Sequence, residues 1–307
     1  MSIPPASAPG MSYLKGAIDC HMHTCPHING RSINVFEAVR QAHAAGMRAI
    51  GLMDNFAISS GYAALANQEL GHLGVEVFGG IIMQPICGGI TMEAARSALK
   101  LGYGPGTGSR YISLPTHHTR YVAEREGRTG AYLESVFQIP ASGRIPEPVP
   151  EIMDLCAAND VVFDCGHVSG REAVLLCEAG KRRGVKRLRT HATRYSDDEL
   201  RAITATGGYC EFSFFVLSHA TQVGLTHVDS EKHSSSGATI QVMAQKIRAA
   251  TPAHSIVSTD CGVFVLPPPV EGFREFLLLL ESEGFSPAEL RVMNTTNPAA
   301  LFNIALG

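Results

Sequence analysis

His21 and His23, in the stretch Ile18-Asp19-Cys20-His21-Met22-His23, are the residues of this chain best equipped for chemistry, together with His167, His191 and Asp260. Each stands at the end of a short apolar run that reads as a β-strand. Two histidines at i and i+2 on a strand point to the same face, because side chains alternate with a period of two, so both imidazoles can reach one metal ion. Neutral imidazole and carboxylate are the usual ligands of zinc and its neighbours, and a catalytic site keeps one position open for water. A bound divalent metal lowers the pKa of its water to about 7 and polarises a carbonyl or phosphoryl oxygen. Hydrolysis is therefore the default reaction.

Such residues, scattered over most of the chain, need a scaffold that brings strand ends together. Apolar runs that read as strands cover 17–23, 49–55, 75–83, 110–116, 161–167, 187–192, 208–214 and 254–260. Amphipathic stretches with helix start and stop signals lie between them: 35–45 ending at Gly46, 91–101 ending at Gly102, a helix opened by Ser169 and Glu172, and another opened by Ser196 and Glu199. The last two carry the Ser-x-x-Glu capping box. Eight strands alternating with helices predict a parallel sheet closed into a (β/α)8 TIM barrel, a single α/β domain over 13–307 preceded by a flexible arm over 1–12. The helix after the second strand is weakly marked. Long loops are expected after the fourth strand, over 117–150 before a helix near 151–158, and after the seventh, over 215–237, where His219, His227, His233 and Ser234 to Ser236 suit a surface segment at the barrel mouth.

Composition agrees with one large soluble domain. The chain has 307 residues, of which 45% are apolar, enough for a barrel of about 250 residues or more. The formal charge of −3, with no block of like charges, indicates neither nucleic acid nor an anionic membrane as partner and leaves a small molecule as the expected one. The first ten residues lack the basic start and apolar core of a secretory signal, no apolar run approaches the ~20 residues of a membrane span, and a cytoplasmic location and a homo-oligomeric state are expected. The eight cysteines contain no CxxC pair, and Cys165 and Cys210 sit in apolar strand runs, as reduced thiols would.

In a TIM barrel the site lies at the C-terminal ends of the strands, and that is where His21, His23, His167, His191 and Asp260 fall, on strands one, five, six and eight. In that order the chain resembles the metal-dependent amidohydrolase superfamily. The end of the chain, Asn297-Pro-Ala-Ala-Leu-Phe302, is also similar to the segment that closes those barrels. The resemblance implies a metallohydrolase in which Asp260, a metal ligand or near neighbour of the water, moves the proton, and His191 or His167, if not ligating, steadies the oxyanion. One feature departs from the family pattern: the fourth strand, running to His117 and His118, offers no lysine for a bridge between two metals. One ion per chain is the simpler expectation, held by His21, His23, His167 or His191, and Asp260. Zinc suits the ligands, with manganese, iron or nickel as alternatives.

Further candidates surround this set. His117 is an extra ligand or substrate contact, Arg120 and Arg194 could hold a substrate carboxylate, and Asp54 is either catalytic or a cap for the following turn. Glu211 could face into the barrel or toward the helices. The reaction implied is cleavage of an amide, lactone or other ester in a small cyclic or carboxylated molecule. A decarboxylase-type lyase on the same ligands is an alternative, and a non-catalytic binder is disfavoured by the full ligand set. The opening text around His21 to Thr24 and Met53 to Asn55 also resembles the polymerase-and-histidinol-phosphatase phosphoesterases, which would place histidine where Asn55 and Gly262 stand.

Overall fold

A computed structural model describes residues 4–223, 225–226, 232–233 and 237–306. Met11–Leu14 (α1) leads into Ile18–Met22 (β1), Val35–Ala44 (α2), Ala49–Leu52 (β2), Ser60–Leu70 (α3), Glu76–Phe78 (β3), Gly80–Ile82 (β4), Met92–Lys100 (α4) and Tyr111–Ser113 (β5). Arg120–Arg125 (α5), Ala131–Ser135 (α6) and Val149–Asn159 (α7) precede Val162–Asp164 (β6), Gly170–Arg182 (α8), Leu188–His191 (β7), Asp197–Ala205 (α9) and Tyr209–Ser213 (β8). Leu225–Thr226 (β9) and Lys232–His233 (β10) form a short antiparallel ladder. The chain ends with Ile240–Ala250 (α10), Ser255–Ser258 (β11), Pro269–Ser282 (α11), Pro287–Arg291 (α12) and Asn297–Phe302 (α13).

All eight expected strands are present, the third as β3 and β4 on either side of Gly79. They pair in parallel in the order β1-β2-β3 and β4-β5-β6-β7-β8-β11. The ring returns to its start through a parallel bridge between Met22 and Cys261, where Asp260 N donates to His21 O at 2.7 Å and His23 N donates to Cys261 O at 2.8 Å. Helices cover the outside, as a parallel sheet requires. Both predicted capping boxes form, at Ser169 with Glu172 and at Ser196 with Glu199, and two more form at Asn34 with Glu37 and Ser286 with Glu289.

Two cores result. The larger lies between strands and helices; the smaller fills the barrel with Ile18, Cys20, Phe78, Tyr111, Val162 and Ile256, and α13 closes its floor with Phe302. All eight cysteines are free. Among the described residues no helix is long and apolar enough to cross a membrane.

Two expectations need correction. Residues 8–12 do not form a loose arm: Ala8 packs on the core, Met11 is buried, and Pro9 O accepts from Arg274 Nη1 of α11 at 2.6 Å. The segment 117–150 is not all loop, since Thr119 accepts from Val122 N and caps α5, and α6 follows. Of the predicted loop over 215–237, the residues 224, 227–231 and 234–236, with His227 and Ser234 to Ser236, lie outside the described residues.

Candidate metal centre

Strand parity alone would not bring both Ile18 and His21 into the barrel. Ile18 and Cys20 belong to the interior core, and Met22 belongs to the outer one. Between Asp19 and Met22 the register with β2 slips by one residue, a bulge that switches the inward face from even to odd positions, so His21 and His23 continue the interior row above Cys20. Bulges beside active sites commonly re-aim side chains in this way. Asp19, buried below the bulge, accepts from Thr259 Oγ1 at 2.6 Å, Thr259 N at 3.1 Å and His21 N at 3.2 Å, which locks β1 to the end of β11; burial raises its pKa to about 7 against these donors.

Asp260 follows β11 with φ +53, a left-handed conformation that aspartate tolerates better than most residues. It carries its carboxylate to the two histidines. Asp260 Oδ1 lies 3.2 Å from His21 Nε2 and 3.0 Å from His23 Nε2. Burial alone would raise the Asp260 pKa, but His21 and His23 outweigh it and hold it well below the usual range. Burial would lower His21, and the Asp260 and Glu211 carboxylates reverse this, pushing it up to about 10. The site thus attracts positive charge. His23, where burial is the largest effect, is lowered.

His21 is steadied from behind. Its Nδ1 sits 2.8 Å from Glu211 Oε1, which also accepts from Ser258 Oγ at 2.6 Å. Glu211 therefore faces into the barrel. Its Oε2 lies 3.0 Å from Arg189 Nη1, and Arg189 Nε donates to Asp164 Oδ2 at 2.7 Å, with all three side chains fully buried. Register explains the meeting: Asp164 and Arg189 are partners across β6 and β7, and His191 and Glu211 across β7 and β8. His191 Nε2 approaches Asp164 Oδ2 to 3.4 Å and its Nδ1 approaches Glu211 Oε2 to 3.7 Å. The Arg189 guanidinium also lies over the Tyr111 and Phe302 rings. Burial opposes charge on Asp164 and Glu211, yet Arg189 and the neighbouring histidines hold both well below the usual carboxylate range.

The donor set fits a divalent ion. His21, His23 and Asp260 offer ligand atoms that lie within 4.8 Å of one another, as do His21, His191 and Glu211. The first group is the better cradle, because donors around a tetrahedral zinc at about 2.0–2.1 Å stand about 3.3 Å apart, close to the 3.0 and 3.2 Å found here. Glu211 Oε1 is engaged by His21 and Ser258, and Oε2 is paired in charge with Arg189 at 3.0 Å without making a hydrogen bond, so Glu211 would stand behind His21 as an outer partner, an arrangement common for metal-bound histidines. The His191 Nε2 and His23 Nδ1 atoms are buried without a hydrogen bond. His167, 4.7 Å from His191 between ring centroids, is pushed down to about 3 by burial and then by His191, so it stays neutral.

These residues line a cavity of about 340 Å³. His21, His23, His167, His191 and Asp260 are all on its wall, and so are His117 and Arg194. Two candidates are not. Arg120 opens α5 and turns along that helix to Glu124 at 2.6 Å and to Leu133 O, which leaves it outside the cavity. Asp54 is spent on the turn after β2, accepting from Phe56 N at 2.8 Å, with His27 Nε2 3.4 Å away; burial lifts its pKa to about 6. His27 in turn lies 2.8 Å from Arg31 Nη2, and Arg31 reaches the cavity wall. Arg31, His27, Asp164 and Arg189 were not singled out from the sequence; a residue two positions before a strand-end histidine, as Arg189 is to His191, shares its face and was the available signal.

Residues 16–211 match the model of a family described as a family of unknown function, DUF6282. The chain belongs to that family. A search of the curated proteins finds no match. Among solved structures, an amidohydrolase from Pseudomonas aeruginosa superposes with a TM-score of 0.57 at 10% identity, covering 96% of this chain and 98% of that one. The probable dipeptidase PvdM from Pseudomonas aeruginosa reaches 0.62 at 10% identity, covering 95% and 97%. A mutant PTE-like lactonase from Deinococcus radiodurans reaches 0.54 at 14% identity, covering 96% and 98%. These similarities establish the TIM-barrel fold that the amidohydrolase-like order of residues implies.

Proposed function

We propose that the protein is a metal-dependent hydrolase that cleaves an amide, lactone or other ester bond in a small molecule, with one ion held by His21, His23 and Asp260. The observation that carries this reading is the convergence of His21 Nε2, His23 Nε2 and Asp260 Oδ1 on the wall of the cavity. A divalent ion in that place supplies Lewis acidity toward water and the scissile carbonyl. Asp260 Oδ1 takes both imidazole contacts, which leaves Oδ2 to carry a proton from the attacking water to the leaving group. His191, whose ring centroid lies 5.3 Å from that of His21, would hold the developing oxyanion, with neutral His167 beside it. Zinc suits the donors, and manganese, iron and nickel are the other candidates.

A single ion is favoured because the far side of the site already holds a fixed cation: Arg189 occupies Asp164 and Glu211, and β5 offers Ser113 rather than a bridging lysine. The phosphoesterase reading meets an obstacle in the backbone. Gly262 has φ +127, and a Cβ there would lie 1.9 Å from His23 O, so the histidine that reading calls for has no room. Asn55, the other position, is bonded to Thr116 Oγ1 at 2.9 Å.

The test is a screen of protein reconstituted separately with zinc, manganese, iron and nickel against amides, lactones, phosphate esters and aromatic carboxylates. Acid release that depends on metal supports the proposal. Release of carbon dioxide alone would assign a lyase, and release of phosphate alone a phosphoesterase; either would overturn it.

A further inference from the structure

Three guanidinium groups from three different connections reach the same cavity: Arg31 after β1, Arg125 on α5 and Arg194 after β7. The carboxylates on the cavity wall each have a cationic or imidazole partner. Glu211 has Arg189 and His21, Asp260 has His21 and His23, and Glu126 has Arg128 at 3.4 Å. Arg31, Arg125 and Arg194 are the arginines that the described residues bring to this wall, and a cleft focuses the field of the groups that line it.

Arg125 and Arg194 stand close together on this wall. Burial, and then the charge of Arg125, lowers the Arg194 pKa, so the fold maintains two like charges at a cost. Tyr121 lies beside both, with its hydroxyl 3.3 Å from Arg125 Nη1. The same cavity wall also carries apolar side chains, among them Val122, Phe215, Val216 and Phe264. An arginine pair on a wall that also carries apolar side chains matches a molecule with an anionic end and a hydrocarbon body.

We propose that the substrate is a small carboxylate, whose carboxylate group is gripped by Arg125 and Arg194 at the mouth while its scissile bond lies at Asp260. A carboxylate is favoured over a phosphate because the half-buried Arg194 and the apolar side chains on the same wall favour the singly charged, less strongly hydrated anion. The position of the scissile bond rests on the hydrolase reading; the grip on the anion does not.

The experiment is isothermal titration of the purified full-length protein with isophthalate, with its uncharged analogue isophthalamide, and with phenyl phosphate. Saturable binding of isophthalate is expected, weakened at least tenfold in Arg194→Met and in Arg125→Met and unchanged in Lys246→Met, whose side chain pairs with Asp197 on the surface. Exposed Arg125 gives a variant that keeps the fold if Arg194→Met does not. Isophthalate binding that stays within twofold in the Arg125 variant, isophthalamide bound as tightly, phenyl phosphate bound in preference, or no saturable heat at all would each overturn the proposal. Because no turnover is read, failure here is distinct from failure of the hydrolase screen.

Discussion

Replacing Arg189 by methionine should be the most damaging single change to the barrel interior. The variant keeps a long apolar stem over Tyr111 and Phe302 and removes the cation that lies 2.7 Å from Asp164 and 3.0 Å from Glu211, all at zero exposure. Breaking one buried ion pair by deleting a partner costs about 3–5 kcal/mol. Two carboxylates depend on this one guanidinium, so the loss should reach about 5 kcal/mol, a large part of the roughly 5–15 kcal/mol that holds a typical domain folded. The pH dependence should invert. In the native protein both carboxylates are held below their ordinary range, so their contribution is present above about pH 4 and is lost as pH falls through the folded values. Without Arg189 burial raises both, the folded state binds the extra protons, and stability should fall as pH rises from 5 to 8. Urea denaturation followed by circular dichroism at both pH values reads this directly. Asp164→Asn and Glu211→Gln added to Arg189→Met should recover most of the loss at pH 8. An Arg189→Met protein within about 1 kcal/mol of the native stability at pH 8 would refute the reasoning.

Asp260→Asn should lower turnover by several orders of magnitude while losing less metal than the histidine variants; steady-state rates within about tenfold of native, about 1.4 kcal/mol in the barrier, would remove Asp260 as proton carrier. His167 is held neutral by burial, with a folded pKa pushed down to about 3, so its contribution to stability is present above about pH 6.5 and is lost as pH falls. The thermal midpoint should accordingly drop less between pH 7 and 5 in His167→Gln than in the native chain, and equal drops would contradict the assignment. Gly262→Ala places a Cβ against His23 O where β1 meets β11, and should reduce both the thermal midpoint and metal retention; a native melt with full metal content would show that the backbone there relaxes freely.

The short apolar runs were enough to place all eight strands, because a parallel strand buried on both faces is a short, nearly continuous apolar word. The five strand-end residues that meet on one cavity wall, His21, His23, His167, His191 and Asp260, were legible for the same reason. What lay behind them was not. Arg189 sits in Leu-Arg-Thr-His and reads as a surface charge, since arginine is seldom fully buried; only the pairing of β6, β7 and β8 shows that Asp164 and Glu211 await it. Likewise the bulge that turns His21 inward depends on the register with β2, which no local pattern encodes. Arg120 and Asp54 were placed by nearness to strand ends, and local partners, Glu124 and Phe56 N, claim them instead.

The convergence of His21, His23 and Asp260 on one ion is tested most directly by elemental analysis of the purified chain and of the His21→Ala/His23→Ala variant, after loading with each candidate metal and dialysis. Close to one divalent ion per native chain is expected, with none retained by a variant that still shows the circular dichroism of the folded barrel. Two tightly held ions per native chain, no ion retained with any metal, or an undiminished ion in the double variant would contradict the site described for His21, His23 and Asp260.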